Sequence, residues 1–489
     1  MSGKGPLSLA RTVDIGFFAA RVFQRCGSRM KQDMKITIIG GAGARVPLVT
    51  HGLIRFRSQL PVDELSLWDI DQARRETIAR ISRAMAARCG VAFKVSTPAS
   101  LQEALEDASF VLSSIRVGGM QGRILDETIA LKHGTIGQET VGAGGFCLAL
   151  RTIPPLLDYV RQVTRLAPNA WLLNFTNPVG IVSQSMIQSG LGSRVIGICD
   201  TPREQFEMLA HSLEVSLHEA FFDYFGLNHL GWIRRIVVDG RDRMKELLDS
   251  PEKLSRTYRI PFFEAELLQE LGLFPTEYLY YYYHPEKACS HLSGGGKTRG
   301  QLIQSLEDEL MREVAAHSSD PEKVAAAYDD YLARRNASYM TVETGGEVGS
   351  ELLDQARQQL YNQSAGYDRV AIDVMRAIRQ DASTVMPVDV SNSGAIEGLE
   401  DEDSVEVPCL IDANGAHPLA TGKPPASIRK LLFRVKEYER LTAQAALQGS
   451  AKLAEDALAS NPLIEKREQA SQILSEYRAA HRPFLNYLT

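Results

Sequence analysis

A thiol and an imidazole in this 489-residue chain have the chemistry of a metal site. Cys199 ends an apolar, β-rich run, and His229 follows further along the chain. Thiolate and imidazole both bind divalent transition metals well. A structural zinc site needs four protein ligands, so this pair alone predicts an open site that water or substrate completes. The alternative is an inert buried cysteine and a hydrogen-bonded core histidine, because free cysteine is among the most buried residue types.

A glycine-rich turn, with Gly40, Gly41 and Gly43, follows the first predicted strand. Glycines there let backbone N–H groups approach a pyrophosphate, and the following helix N-terminus favours its negative charge. The strict dinucleotide fingerprint is not met, because Val46 stands at the third glycine position. Asp69 ends the second predicted strand, where an acid can bind a ribose hydroxyl and favour NAD over NADP. The turn predicts an NAD site, and a tight turn without a ligand is the alternative.

Two amides, Asn174 and Asn177, follow a later predicted strand. They belong to the carboxyl edge of the sheet, where open α/β sheets bind ligands. Amide groups offer donors and acceptors to a hydroxyl-rich ligand. The alternative is that they only cap the next helix.

Tyrosines crowd residues 278–283, and Tyr278 is the first of them. A tyrosine close to a metal or another cation can serve as a general base. The alternative, which applies to most of the run, is packing with the hydroxyl groups at a surface.

Strands that alternate with helices must position these groups. The apolar patterns predict strands over 34–40, 65–69, 93–96, 110–116, 170–175 and 195–199, with helices between them. This alternation is typical of an α/β fold with a mostly parallel sheet. After residue 201 we expect more antiparallel strands, over 221–227 and 233–238, and helices over 299–316, 321–334, 351–380, 427–449 and 451–459. The acidic segment 397–406 is interpreted as a solvated turn.

Two domains account for this change of pattern. We expect an N-terminal Rossmann-like NAD-binding domain over residues 34–205 and a larger mixed α+β catalytic domain over 206–489, with a shared cleft. Residues 1–33 are basic and carry a short apolar patch without a clear signal-peptide pattern. We expect them to be a disordered or non-native extension.

The composition excludes several classes of protein. Lys+Arg 54 against Asp+Glu 60 gives a net charge of -6, which argues against a binder of the nucleic-acid backbone. Six cysteines scattered through a long chain indicate reduced thiols and a cytoplasmic location. Apolar runs stay shorter than the roughly 18–20 residues that a membrane span needs, so no membrane partner is expected.

The motifs together resemble glycoside hydrolase family 4, the NAD-dependent glycosidases. The resemblance covers about Met34 to the C-terminus. Its motifs are the glycine-rich turn and the segments Ser114–Gly119, His133–Thr140, Asn174–Pro178, Cys199–Pro202, Gly226–His229, Tyr278–Leu279 and Val405–Cys409. The family is an exception to hydrolysis by two carboxylates.

The resemblance implies oxidation of the sugar at C3 by NAD+, removal of the C2 proton, departure of the C1 leaving group, and addition of water. Cys199 and His229 match the ligands of a divalent metal, usually Mn2+. Tyr278 matches the base. Arg299 matches an arginine that contacts substrate and helps to lower the pKa of the base, which a nearby cation would do.

The resemblance also implies a phosphorylated sugar as the substrate. Arg116 matches an arginine of members that act on 6-phosphorylated sugars, and such a side chain can bind phosphate with two nitrogens. Arg45 could supply a second phosphate contact. The segment 41–47 resembles the 6-phospho-β-glucosidase branch. Asp200 instead resembles the α branch, where an acid in this place protonates the leaving group, so the anomer stays open.

Three alternatives remain at the level of sequence. The same chemistry could act on unphosphorylated glycosides, which Arg116 turned away from the cleft would favour. A 2-hydroxy-acid dehydrogenase would leave Cys199 and Tyr278 without a role. A non-catalytic NAD-binding sensor would not need the set of Cys199, His229, Tyr278 and Arg299. We expect a 6-phospho-β-glucosidase that forms a homodimer or homotetramer.

Overall fold

A large sheet runs through the protein in the computed structural model, which describes residues 34–361 and 365–489. The extension predicted for residues 1–33 lies outside the described residues. Six parallel strands form one part of this sheet: β1 Lys35–Ile39, β2 Glu64–Trp68, β3 Lys94–Ser96, β4 Ala108–Ser113, β5 Trp171–Asn174 and β6 Val195–Gly197. Their order is β3-β2-β1-β4-β5-β6. This order is that of a doubly wound dinucleotide-binding sheet, so the predicted Rossmann-like α/β class is confirmed.

Most helices of this part of the chain follow a strand at the ligand-binding edge. The helices are α1 Val46–Arg55, α2 Gln72–Arg88, α3 Leu101–Leu105, α4 Gly119–Lys132, α5 Gly142–Leu166, α6 Val179–Gln188 and α7 Thr201–Ser212, and α5 follows α4. The chain order reverses between β1 and β4, which leaves a crevice at their carboxyl ends. The apolar patterns located most of these elements, but they missed α4, α7 and residues 142–159 of α5.

Three antiparallel strands from the C-terminal half complete the large sheet: β11 Thr384–Ser391, β12 Ser404–Asp412 and β13 Gly415–Pro418. In the described residues β11 pairs with β6 only at Asp389 and Gly197. A Cβ on Gly197 would lie 2.6 Å from the Cβ of Asp389, so this junction requires a glycine. The domain boundary near residue 205 stays a prediction.

The interpretation of residues 397–406 as a solvated turn holds for residues 397–402 and needs correction from Asp403 onward. Asp403 and Glu406 are each 1% exposed, and β12 begins at Ser404. Their charge suggested that the segment is exposed, because the sequence does not show which residues form hydrogen bonds or ion pairs with buried carboxylates.

A second sheet is formed by strands of the C-terminal half. It contains β7 Ala220–Leu227, β8 Leu230–Val238, β9 Arg241–Asp242 and β10 Phe274–Pro275, and β7 and β8 form an antiparallel hairpin. Leu227 pairs with Leu230, so Asn228 and His229 alone make the hairpin turn. His229 has φ of +61°, a conformation that few non-glycine residues adopt. The conformation of this two-residue turn therefore fixes the direction of the His229 side chain.

Helices make up the rest of the described C-terminal half. They are α8 Met244–Leu248, α9 Pro251–Leu254, α10 Ala265–Leu271, α11 Tyr280–Tyr283, α12 Pro285–Leu292, α13 Arg299–Ala316, α14 Pro321–Ala337, α15 Ser350–Gln358, α16 Ala365–Gln380, α17 Ala426–Gln448, α18 Ala451–Ser460, α19 Arg467–Ala480 and α20 Arg482–Leu485. The helix predicted over 351–380 is thus two helices. Of the described residues, none lie in a helix that is both long and apolar enough to cross a membrane.

A buried ion pair fixes the helices behind the cleft. Arg151 of α5 donates through both terminal nitrogens to Asp126 of α4, at 2.7 Å each. His481, just before α20, lies 2.9 Å from the same carboxylate. The Arg151 Nε also donates to the carbonyl of Val117 at 3.3 Å, which holds the loop that enters α4.

Replacing Asp126 should destabilise the protein strongly. Asp126→Ala leaves the buried Arg151 guanidinium unpaired, and breaking such a pair costs about 3–5 kcal/mol. Asp158→Ala is the control, because its partner Arg161 on α5 is exposed and such pairs contribute about 0–1 kcal/mol. Urea and thermal unfolding of the two variants measure the difference. Equal midpoints for the two variants would contradict the role given to this pair.

Candidate functional site

Seven of the residues singled out in the sequence line one cavity. They are Arg45, Asn177, Cys199, Asp200, His229, Tyr278 and Arg299. Cys199 and Asp200 follow β6, and Tyr278 lies in a short 3₁₀ turn that precedes α11. The cavity thus lies at the carboxyl edge of the large sheet, as expected for an open α/β sheet.

Cys199 and His229 face one another inside this cavity. The Cys199 Sγ lies 3.4 Å from the His229 Nε2, and both residues are buried. Burial lowers the pKa of His229 to about 4, so the imidazole is neutral, the form that binds metals. Burial raises the pKa of the Cys199 thiol, as do the charges of Glu406 and Asp200. A divalent transition metal fits this sulfur and nitrogen pair, because it would favour the thiolate and accept the imidazole nitrogen.

Tyr278 packs directly on the predicted metal ligand. Its ring stacks on His229 with ring centroids 3.8 Å apart and planes 2° from parallel. Burial raises the pKa of Tyr278, and a hydrogen bond with Tyr339 opposes that rise. Tyr339 was not singled out in the sequence, because nothing in its local pattern places it beside Tyr278.

The expected role of Arg299 in lowering the pKa of Tyr278 stays a prediction, and the contacts that the structure gives Arg299 are structural. The Arg299 Nη1 donates to the carbonyl and the hydroxyl of Ser338, at 2.8 and 2.6 Å, and Nη2 donates to the carbonyl of Arg335 at 3.1 Å. These acceptors lie at the end of α14. The Arg299 guanidinium therefore anchors α13 to α14 at the wall of the cavity, and Tyr339 takes the place beside the tyrosine.

Arg45 and Asp200, to which the sequence assigned separate roles, form an ion pair. The Arg45 Nη2 lies 3.3 Å from the Asp200 Oδ2. Asp200 lies at the N-terminus of α7, and Arg45 directly precedes α1. The pair joins the glycine-rich turn to the strand end that carries Cys199.

Arg116 and Asn174 do not line the cavity. The Arg116 Nη2 lies 2.5 Å from Glu139, which does line it, and Arg123 lies 3.0 Å from the same carboxylate. The two arginines hold the pKa of Glu139 well below its usual range despite its burial. Asn174 is fully buried, and its side-chain oxygen accepts from the hydroxyl of Ser113 at 2.7 Å. The prediction that Asn174 binds substrate is therefore replaced by a role in joining the ends of β4 and β5.

The predicted NAD residues lie together at the same carboxyl edge of the sheet, directly after β1 and β2. Gly40 has φ of +96°, and a Cβ there would lie 2.3 Å from the carbonyl oxygen of Ser114. The turn over 40–43 is thus glycine-rich partly because it packs between strand ends. Asp69 accepts from the backbone N–H of Ala42 at 3.1 Å, so the acid also supports the turn.

Glu406 is a buried residue of the site that the sequence pattern did not reveal. The hydroxyl of Tyr224 donates to its carboxylate, and the Asn228 Nδ2 donates to Oε1 at 3.2 Å. These contacts tie β12 to the turn that carries His229. The segment Val405–Cys409 gave the one available signal, but its acid was interpreted as part of a solvated turn.

Comparisons with known proteins agree with this arrangement. The family 4 glycosyl hydrolase model matches residues 35–215, and the family 4 glycosyl hydrolase C-terminal domain model matches residues 224–464. A 6-phospho-beta-glucosidase of Escherichia coli is 30% identical over 476 residues, which is 93% of this chain and 97% of that protein.

Solved structures are similar along nearly the whole chain. The 6-phospho-beta glucosidase from Thermotoga maritima, with NAD and glucose-6-phosphate, gives a TM-score of 0.77 at 29% identity and covers 93% of this chain and 99% of its own. A 6-phospho-alpha-glucosidase from gut microorganisms, in complex with NAD and Mn2+, gives 0.74 at 25% identity with the same coverage.

The buried carboxyl of Glu277 should make stability depend on pH. Burial raises the pKa of Glu277 to about 7, against hydrogen bonding from Tyr339 and the charge of Arg259. The pKa of Glu277 is higher in the folded protein than in the unfolded chain. The stability of the folded protein is therefore greatest, as far as Glu277 affects it, below about pH 4.5, and that stability is lost as the pH rises through about 7. Glu277→Gln should therefore become more stable than the parent protein between about pH 5 and 8, by up to about 3 kcal/mol.

Thermal unfolding across this pH range, without metal or NAD, measures the effect. The control is the exposed Glu270→Gln, which should follow the parent protein at every pH. A difference between Glu277→Gln and the parent that does not change with pH would contradict the assignment.

Proposed function

Because this chain belongs to the family 4 glycosyl hydrolases, we propose that it hydrolyses 6-phospho-β-glucosides with NAD+ and a divalent metal, Mn2+ being the first candidate. The observation that carries the proposal is the convergence of Cys199, His229 and Tyr278 in one buried cavity. A sensor that only binds NAD would not need these three groups in contact. A 2-hydroxy-acid dehydrogenase would leave the thiol and the stacked tyrosine without a function.

Cys199 and His229 would hold the metal, and the glycine-rich turn with Asp69 would hold NAD+. When bound, NAD+ supplies a hydride acceptor for C3 of the sugar, and the metal supplies a Lewis acid for the C3 oxygen. The turn supports this assignment because it lies where the sheet order reverses. Both solved relatives described above contain NAD, and the 6-phospho-alpha-glucosidase also contains Mn2+.

Tyr278 would accept the proton from C2 of the sugar. Its ring is held parallel to the imidazole of His229, so its hydroxyl cannot leave the neighbourhood of the metal ligands. The ring packs within the cavity wall, which keeps bulk water from the base. Asp200 would protonate the leaving group, and the ion pair with Arg45 fixes where its carboxyl group lies.

Arginines at the cavity would bind the sugar phosphate. Arg45 lines the cavity, as does Arg335, which makes no ion pair with the described residues. Arg116 keeps a buried nitrogen, Nη1, for which the described part of the chain provides no hydrogen-bond partner. We therefore propose Arg45 and Arg335 as the phosphate contacts; Arg116, which does not line the cavity, would reach the phosphate only by leaving Glu139. Asn177 would contact the sugar hydroxyl groups from the end of β5.

A 6-phospho-α-glucosidase is the second candidate. It is favoured by Asp200, which lies in the cavity, and by the similarity to a solved α-glucosidase. The β assignment rests on the relative in E. coli and on the structure from T. maritima. We propose a homodimer or homotetramer in the cytoplasm for either activity.

Turnover in D2O tests the reaction itself. The protein is incubated with NAD+, Mn2+ and either the α- or the β-linked nitrophenyl 6-phosphoglucoside, and the product is read by NMR. We expect the β-linked substrate to give glucose 6-phosphate with deuterium at C2. In D2O the base exchanges the proton that it removed and returns a deuteron to C2. Product without deuterium at C2 would contradict the proposed proton removal, and faster turnover of the α-linked substrate would reassign the anomer.

Removal of the thiol tests the metal assignment. Cys199→Ala should lower the Mn2+-dependent kcat/KM at least about 100-fold, because a Lewis acid contributes several kcal/mol to such a transition state. Cys89→Ala is the control, since Cys89 is a free, exposed cysteine. Unchanged Mn2+ dependence in Cys199→Ala would exclude Cys199 as a ligand.

A further inference from the structure

A chain of hydrogen bonds reaches His229 from the side opposite to Cys199. The Oγ1 of Thr140 lies 2.7 Å from the His229 Nδ1, and the same hydroxyl lies 2.7 Å from the Oε1 of Gln138. Both residues precede α5. The Nδ1 of His229 therefore contacts Thr140, and its Nε2 contacts Cys199.

The direction of these hydrogen bonds is fixed by the backbone. The Gln138 Oε1 accepts from the N–H groups of Thr140 and Val141, at 2.6 and 2.9 Å. A backbone N–H can only donate, so the side-chain atom that faces both groups must be the oxygen of the amide. The Thr140 hydroxyl has a single proton, and that proton must point at the Gln138 oxygen. Towards His229 the Thr140 oxygen can then only accept.

The consequence concerns which nitrogen of His229 carries the proton. An accepting Thr140 oxygen requires N–H at Nδ1, which leaves Nε2 with its lone pair directed at the Cys199 Sγ. We propose that Gln138 and Thr140 are positioning residues that hold His229 in the tautomer whose Nε2 can bind a metal. Hydrogen-bond partners of this kind orient metal ligands in other proteins. The link to metal binding rests on the proposed function, but the tautomer itself does not.

The segment that carries Thr140 is held tightly against α5. A Cβ on Gly145 would lie 2.5 Å from the carbonyl carbon of Thr140, and a Cβ on Gly144 would lie 2.2 Å from the carbonyl oxygen of Gly137. Two glycines thus let the backbone of residues 137–140 lie on the first turn of the helix. The Thr140 hydroxyl cannot move away from His229 without moving this contact.

Nitrogen NMR of the metal-free protein tests the tautomer. The protein is labelled with 15N-histidine and treated with chelator, and the loss of one signal in His229→Gln identifies His229 among the ten histidines. We expect the Nδ1–H form in the parent protein and in Thr140→Ser, which keeps the hydroxyl. Thr140→Val removes the acceptor and should convert His229 to the Nε2–H form. An Nε2–H signal in the parent protein would overturn the proposal.

Calorimetry with MnCl2 and NAD+ measures the effect on metal binding. Thr140→Val should weaken Mn2+ binding about 10–100-fold, and Thr140→Ser should restore it to within about threefold of the parent value. Gln138→Leu frees the Thr140 hydroxyl to donate to His229, so it should give mixed tautomers and intermediate affinity. Thermal unfolding checks that each variant is folded.

The two proposals fail in different ways. If the parent protein has the Nδ1–H form but neither binds Mn2+ nor cleaves phosphoglucosides, the tautomer assignment stands and the proposed function is wrong. If the parent protein is an active, Mn2+-dependent enzyme and Thr140→Val has the same tautomer and Mn2+ affinity, the proposed role of Thr140 is wrong.

Discussion

The approach of Cys199 Sγ to His229 Nε2, at 3.4 Å, joins the two sheets of the protein at one point. Cys199 follows β6 of the large sheet, and His229 lies in the hairpin turn of the second sheet. Neither element can shift alone without separating the two side chains. The surrounding structure holds the Cys199 thiol and the His229 imidazole next to each other in a buried site. Tyr278 stacks on the imidazole, so the position of His229 also determines the position of the Tyr278 ring.

Buried polar groups secure that contact from several directions. Glu406 of β12 accepts from Tyr224 and Asn228, so the C-terminal part of the large sheet supports the hairpin turn. Burial raises the pKa of Glu406, and such a group is tolerated only because its hydrogen bonds compensate for lost water. Arg299 similarly joins α13 to the end of α14 through carbonyl groups. Charged residues around the cavity therefore build its walls as well as offering contacts to a ligand.

The sequence predicted the parts of the fold that depend on local pattern. β1, α2 and β5 follow from apolar periodicity, and the cleft residues Cys199, Asp200 and Tyr278 follow from strand ends and from a family resemblance. The strands β11 to β13 were missed because buried acids, Asp389 and Glu406, interrupt the apolar pattern that marks a buried strand. The partners that satisfy Glu406 are not visible in the local sequence. The partners of Arg299 and Asn174 could not be predicted either, because carbonyl and hydroxyl acceptors leave no signature in sequence.

In the proposed function, Cys199 and His229 together hold the metal of this enzyme. X-ray absorption at the manganese edge, on the NAD-bound protein loaded with Mn2+, measures its ligands. We expect one sulfur neighbour and one imidazole neighbour, with oxygen ligands completing the shell and the sulfur lost in Cys199→Ala. A shell of oxygen and nitrogen alone in the parent protein would contradict it.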